Sequence, residues 1–195
     1  GADAGVLGTA HESLRPLGIP ASKIRLVMND TAVTPNAGPA GGSRSQVVVG
    51  NSIRVGCERL VQALAKPGGG FYTYDEAKAA GVELRQQGIW TAPATNNDEK
   101  GLGEPFSVYM YGLFMAEVAV GTATGKVQVE KMTLIADIGK INNRTIVEGQ
   151  IYGGLAQGIG LALTEDYEDI KKHSTLAGAG IPYIKQIPDD IELVF

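Results

Sequence analysis

Apolar residues recur at helical spacing between Asn51 and Ala65 and predict an amphipathic helix there. The residues of its apolar face are Ile53, Cys57, Leu60, Val61 and Leu64. Spacings of three and four residues put such positions on one side of a helix, which then packs against a core. The run Lys66-Pro67-Gly68-Gly69-Gly70 ends the helix, because proline and successive glycines interrupt helical structure.

Two further helices are predicted from capping signals. The first can begin at Asp3, or at Thr9–Glu12, which has the form of a capping box, and it ends at Gly18. A short helix follows the capping box of Thr73–Glu76 and ends before Gly81.

A glycine-rich helix is predicted after residue 144, where Thr145 and Glu148 have the spacing of a capping box. Its apolar edge consists of Ile151, Leu155, Ile159 and Leu163. Its glycines are Gly149, Gly153, Gly154, Gly158 and Gly160. Glycine inside a helix costs about 1 kcal/mol relative to alanine, so we expect close packing or a ligand against this helix.

Alternating and continuous apolar runs predict the strands. Lys23–Met28 reads as a short strand. Ser107–Val120 and Lys126–Ala136, joined by a turn at Gly121–Gly125, predict a hairpin, and Ile191–Phe195 predicts a last strand. Helices and a hairpin together predict an α+β fold with a mixed or antiparallel sheet and packed helices.

We expect three parts along the chain: residues 1–70, a surface excursion at 71–105 that Trp90 anchors, and residues 106–195. The chain opens without methionine and stops within an apolar pattern, so we expect a piece of a longer enzyme.

Composition narrows the classes of protein. The net charge of -4, without a cluster of Lys and Arg, gives no support for nucleic-acid binding. No apolar run approaches the roughly 20 residues that span a bilayer, and no signal peptide is present, so we expect a cytoplasmic protein without membrane contact. The single cysteine, Cys57, excludes an internal disulfide and an iron–sulfur cluster held by this segment alone. We expect it to be a buried, inert thiol.

The stretch Thr34–Gln46 is the most informative part of the chain. It places a glycine-rich loop with hydroxyl groups and the guanidinium of Arg44 directly before a helix. Backbone N–H groups and the positive end of a helix favour a phosphate or pyrophosphate. The alternative is a tight connector whose glycines only supply positive φ angles. The stretch matches neither the Walker loop nor the dinucleotide fingerprint.

The sequence Thr-Pro-Asn-x-Gly-Pro-x-Gly-Gly-Ser-Arg at Thr34–Arg44 resembles the cofactor loop in the molybdenum-binding domain of the xanthine oxidase family. Within that family it resembles the bacterial aldehyde oxidoreductases that carry molybdopterin cytosine dinucleotide. Tyr111–Val118, Thr124–Val127 and Asp137–Gly139 match further motifs of that family in the same order. One local departure is Asn143, where the family often has proline.

The glycine-rich helix resembles the family's Gly-Gln-x-x-Gly-x-x-x-Gln-Gly-x-Gly segment, in which the first glutamine binds the pterin. The cofactor-binding residues that the resemblance implies are Gly1, Ala2, Gly41, Gly42, Ser43, Arg44, Ser45 and Gln150. An amide suits a pterin edge because it donates and accepts hydrogen bonds at once. Gln157 is the weaker candidate, and we interpret it as a buried amide satisfied by backbone.

The resemblance implies oxidation of aldehydes to carboxylic acids, with water as the oxygen source, at a molybdenum ion that the pterin holds without a protein ligand. His173 has no second ligand at metal spacing. The family's catalytic glutamate lies in a Val-Gly-Glu motif beyond the C-terminus of this sequence. We therefore expect no catalytic residue here, an inactive fragment, iron–sulfur clusters on other segments, and a homodimeric parent.

Two other functions remain open from the residues alone. The loop at Gly41–Arg44 could serve an autonomous module that binds a nucleotide or phosphate ester. The chain could also be a structural fragment, in which the glycines permit close helix packing.

Overall fold

The computed structural model describes residues 5–28, 30–42, 44–93, 95–106 and 108–195. The chain divides into two compact units, Gly1–Ser107 and Val108–Phe195. Among the described residues, the first unit contains three α-helices and a two-stranded ribbon, and the second contains a three-stranded sheet and a long α-helix. Within the described ranges, no helix is both long and apolar enough to cross a membrane.

Helix α1 of the first unit spans Val6–Ser13 and lies against α2, which spans Gly50–Leu64. The helix predicted at 51–65 is thus confirmed. Thr9 lies inside α1, where its hydroxyl donates to the carbonyl of Gly5 at 3.3 Å, so Thr9 is not the cap. The alternative cap, Asp3, lies outside the described residues. A 3₁₀ turn at Arg15–Leu17 follows α1 and ends at Gly18.

The strand predicted at Lys23–Met28 is wrong. A 3₁₀ turn spans Ala21–Lys23, and the chain beyond it forms no strand within the described residues. Leu26, Val27 and Met28 are exposed. Alternating apolar residues form a strand only where a neighbouring strand supplies hydrogen bonds and packing. No described strand lies alongside this segment.

Helix α3 spans Tyr74–Ala79 and begins with the predicted capping box. The N–H of Glu76 donates to the Thr73 hydroxyl at 3.3 Å, and the N–H of Thr73 donates to the Glu76 carboxylate at 2.8 Å. A short antiparallel ribbon follows, with β1 at Asn96–Asn97 and β2 at Gly103–Glu104.

The part of the excursion between α3 and that ribbon crosses α2 where Gly88 lies against Gly56. The sequence pattern did not predict this contact. A Cβ atom at Gly88 would lie 2.6 Å from the amide nitrogen of Gly56 and would overlap the carbonyl oxygen of Ser52. Arg59 on α2 donates to the carbonyl of Gln87 at 2.6 Å. The crossing therefore needs glycine and holds the excursion on the helix.

The sheet of the second unit has the order β3-β4-β5, with β3 at Tyr111–Val120, β4 at Val127–Asp137 and β5 at Asp190–Val194. Strands β3 and β4 form the predicted antiparallel hairpin, and β5 lies parallel to β4. The α+β fold with a mixed sheet is confirmed. Strand β3 begins later than predicted, and a register shift interrupts its pairing between Glu117 and Val118.

Helix α4 spans Arg144–Leu163, and its cap is Asn143 rather than Thr145. The Asn143 side chain accepts from the N–H of Ile146 at 3.2 Å. Glu148 instead pairs with Arg144 at 2.7 Å, one helical turn earlier. The capping box predicted at 145–148 is therefore wrong. Asn143 directly precedes the first helical residue, and asparagine is a strong N-cap, so its carboxamide caps the helix instead of the Thr145 hydroxyl.

Candidate cofactor-binding site

The loop of residues 35–42 is an exposed connector that turns twice before the helix. The N–H of Gly38 donates to the side chain of Asn36 at 2.8 Å, and the N–H of Arg44 donates to the carbonyl of Gly41 at 2.9 Å. Gly38 and Gly42 have φ angles of 74° and 52°. These positive φ angles favour glycine at both positions. To this extent the structure supports the interpretation of the loop as a tight connector.

The Arg44 side chain folds back onto the loop. Its guanidinium donates to the carbonyl oxygen of Ala37. A Cβ atom at Gly38 would lie 3.0 Å from a guanidinium nitrogen, and the φ angle of 74° at this position favours glycine. The guanidinium has five N–H donors, and one bond to the loop leaves capacity for an anion. The role of Gly38 was missed in the sequence, although its spacing from Asn36 signals a turn.

Gly41 and Gly42 leave the loop backbone bare. A Cβ atom at either position would meet nothing within 4 Å. At Gly41, where φ is not positive, the absence of a side chain is required neither by conformation nor by packing. An approaching pyrophosphate could use the space that a side chain would fill.

A helical segment begins directly after the loop. Arg44 has helical angles, a π-helical turn spans Ser45–Val49, and α2 continues from Gly50. The first N–H groups of a helix have no partners within the helix and attract anions. π-Helical turns occur often at functional sites. Ser45 is half-buried at the start of this turn, while Ser43, Gly1 and Ala2 lie outside the described residues.

Gln150 lies in the second turn of α4 and is exposed. The backbone of α4 is open to its surroundings near Gln150. A Cβ atom would meet nothing within 4 Å at four glycines of the helix: Gly149, Gly153, Gly154 and Gly158. Gly160 differs, because a Cβ there would lie 2.7 Å from Pro182. The glycines near Gln150 therefore leave an open surface.

The core-facing side of α4 is formed by Leu155 and Ile159, which are both 5% exposed. Leu163, the last residue of the predicted apolar edge, is 43% exposed. Gln157 is exposed as well, which corrects its interpretation as a buried amide. Two exposed amides thus lie on a helix whose intervening surface is mostly glycine.

The loop belongs to the first unit and Gln150 to the second. If both bind one cofactor, the loop at Gly41–Arg44 and Gln150 must face one common cleft, and this stays a prediction.

Other reactive groups lie outside this arrangement. Cys57 is half-buried, which corrects the expectation of a buried thiol. Partial burial, with a contribution from Glu58, raises the pKa of the thiol, and a raised pKa lowers its reactivity. His173 accepts from the N–H of Asp169 at 3.2 Å and lies 3.6 Å from the Asp166 carboxylate. Asp166 and Asp169 thus both contact His173 within this loop. The described residues contain no group of His, Cys, Asp and Glu suited to a metal ion.

Comparison with known proteins supports the resemblance. The family model of the molybdopterin cofactor-binding domain matches residues 1–188. The aldehyde oxidoreductase of Megalodesulfovibrio gigas is 61% identical over 197 residues, which cover 100% of this chain and 22% of that protein.

The crystal structure of the aldehyde oxidoreductase from Desulfovibrio desulfuricans ATCC 27774 matches with a TM-score of 0.92 and 69% identity, over 98% of this chain and 21% of the other. Mouse xanthine dehydrogenase/oxidase is 29% identical over 78% of this chain and 12% of its own length. The chain thus spans about a fifth of the aldehyde oxidoreductases that it matches. It belongs to the molybdopterin cofactor-binding domain family.

Proposed function

We propose that these residues are part of a longer molybdenum hydroxylase that oxidises aldehydes to carboxylic acids with water as the oxygen source. The observation that carries the proposal is the bare loop of Gly41 and Gly42, which Arg44 fixes at the start of a helix. The 61% identity to an aldehyde oxidoreductase along the whole chain supports the choice of substrate class.

The cofactor that fits is molybdopterin cytosine dinucleotide with molybdenum, which supplies the oxidative hydroxylation chemistry when bound. Its pyrophosphate would lie against Gly41, Gly42 and Ser45, with Ser43 and Arg44 completing the loop. Gln150 would hold the pterin edge through its amide. The share of these residues is to bind and orient, because the catalytic glutamate and the iron–sulfur clusters belong to other segments of the proposed parent.

Arg44 offers the test of the loop's part in the proposal. In the full-length parent, Arg44→Ala removes charge-assisted hydrogen bonds that are worth about 1.5–3 kcal/mol each. We expect the molybdenum content and the rate of benzaldehyde oxidation with a dye acceptor to fall together, while the unfolding midpoint of the cofactor-free protein stays close to that of the cofactor-free wild type. Arg44→Lys keeps the positive charge but lacks the planar guanidinium. Its molybdenum content and activity should therefore lie between those of the wild type and of Arg44→Ala. Full molybdenum content in a folded Arg44→Ala protein would contradict the proposed role.

A further inference from the structure

Strand β3 is exposed along its whole length, although its composition is that of a buried strand. All ten residues of Tyr111–Val120 are exposed. Side chains alternate between the faces of a sheet, so Leu113 and Met115 point to one face and Phe114 to the other. These three side chains are 54%, 47% and 57% exposed. Strands that are apolar on both faces are typical of sheets covered on both sides.

The edge of β3 is as bare as its faces. Among the described strands, the order β3-β4-β5 leaves β3 with a partner on one side only. Glu117 is the single charged residue of the strand. Long apolar edges pair readily with other strands, and proteins that leave an edge in water protect it with charges, prolines or bulges. The one irregularity, between Glu117 and Val118, leaves Tyr111–Glu117 as a regular seven-residue edge.

We infer that β3 is an internal strand of a larger sheet, whose next strand comes from the same polypeptide outside these 195 residues. The inference rests on the proposal that the chain is part of a longer enzyme, since it spans 22% of the length of its relative. A second copy that paired edge to edge would cover the edge of β3 but leave both apolar faces in water. The remaining length of one polypeptide is enough to cover the edge and both faces.

Hydrogen exchange of the full-length parent, resolved to single residues by mass spectrometry, tests the pairing. In an antiparallel pair, alternate N–H groups of Tyr111–Glu117 point to β4 and the others point to the bare edge. We expect both sets to exchange slowly, by roughly 100-fold or more relative to the denatured chain. The set that points to β4 is the internal reference. Rapid exchange of the other set alone would overturn the inference. The readout does not depend on bound molybdenum, so it can fail while the proposed function stands.

A photo-crosslink identifies the partner. p-Benzoylphenylalanine in place of Tyr111, which is 75% exposed and aromatic, keeps a ring at the start of the strand. After irradiation of the full-length protein, we expect the crosslink to join β3 to a peptide of the same polypeptide outside the 195 residues. A crosslink to a second copy, a crosslink within the 195 residues, or no crosslink beyond that of an unirradiated sample would each overturn the inference.

Discussion

Gln150 is the side chain to which we assign the pterin contact, and its exposure lets that role be separated from folding. In the full-length parent, we expect Gln150→Ala to lower the molybdenum and pterin content, because a proposed hydrogen-bond partner of the cofactor is lost. The unfolding midpoint of the cofactor-free protein should stay the same. Gln157→Ala is the matched control on the same helix and should leave the cofactor content unchanged. Equal cofactor loss in both variants would contradict the assignment.

Glu76 gives a prediction on pH. Its pKa lies below the ordinary value of 4.5, first because Lys66 contacts the carboxylate at 2.8 Å and then because the N–H of Thr73 donates to it. A lowered folded-state pKa adds stability above the unfolded-state pKa, and this stability is lost as the pH falls through the folded-state pKa. The unfolding midpoints of wild type and Glu76→Gln should therefore differ at neutral pH and converge below pH 4.5.

The control for this titration is Asp75→Asn, which removes the same charge from the same helix turn. At neutral pH it should lower the midpoint less than Glu76→Gln does, because it leaves the contacts of Glu76 with Lys66 and Thr73 in place. Parallel midpoints of wild type and Glu76→Gln across the acid range would show that the Lys66 and Thr73 contacts do not stabilise the charged carboxylate.

At the scale of elements, two variants test which residue caps the start of α4, Asn143 or Thr145. Asn143→Ala should lower the free energy of unfolding by about 1 kcal/mol, because its side chain accepts from the N–H of Ile146. Thr145→Ala changes an exposed residue inside the helix and should cost no more than about 0.5 kcal/mol. Chemical denaturation of both variants measures the difference. The reverse order would restore the capping box at Thr145.

The crossing of the excursion over α2 gives a second element-scale prediction. Gly88→Ala places a methyl group against the backbone of Ser52 and Gly56, and overpacking of this kind costs roughly 1–3 kcal/mol. Gly68→Ala is the control, since a Cβ there meets nothing within 4 Å, and it should change the free energy of unfolding by less than about 0.5 kcal/mol. Urea unfolding measures both. Equal effects would mean that the crossing is not closely packed.

Local signals in the sequence predicted the elements whose formation is local. The apolar face of α2, the capping box at Thr73 and the β3–β4 hairpin are specified by neighbours in the chain. The crossing at Gly88 was missed because it depends on a helix about thirty residues earlier. The strand predicted at Lys23–Met28 failed because its pattern has no described strand beside it.

The candidate site was predictable in composition but not in conformation. The sequence shows Arg44 beside the glycines, yet the return of its guanidinium to Ala37 depends on the turn that Gly38 allows. Likewise, the backbone of α4 near Gln150 is open because no other described residue packs on its glycines there. The spacing of glycines in the sequence does not show which of them are covered. Whether the loop and Gln150 share one cleft stays a prediction.

For the whole molecule, we expect the 195-residue chain by itself to be colourless and unable to oxidise benzaldehyde with a dye acceptor. One cysteine cannot hold an iron–sulfur cluster, and the sequence contains no Val-Gly-Glu. The measurement is the absorbance spectrum and dye reduction of the purified chain. Turnover above a protein-free blank would show that these residues contain catalytic groups that we have not identified.

The central claim is that these residues hold a molybdopterin dinucleotide. The most direct test is the molybdenum, pterin and nucleotide content of the purified full-length parent, determined by elemental analysis, pterin fluorescence and chromatography of the released nucleotide. The proposal predicts molybdenum and pterin in equal amounts with the polypeptide, and a cytosine nucleotide after hydrolysis. A folded protein that contains neither molybdenum nor pterin, and whose loop at Gly41–Arg44 binds ATP or NAD in calorimetry, would contradict it.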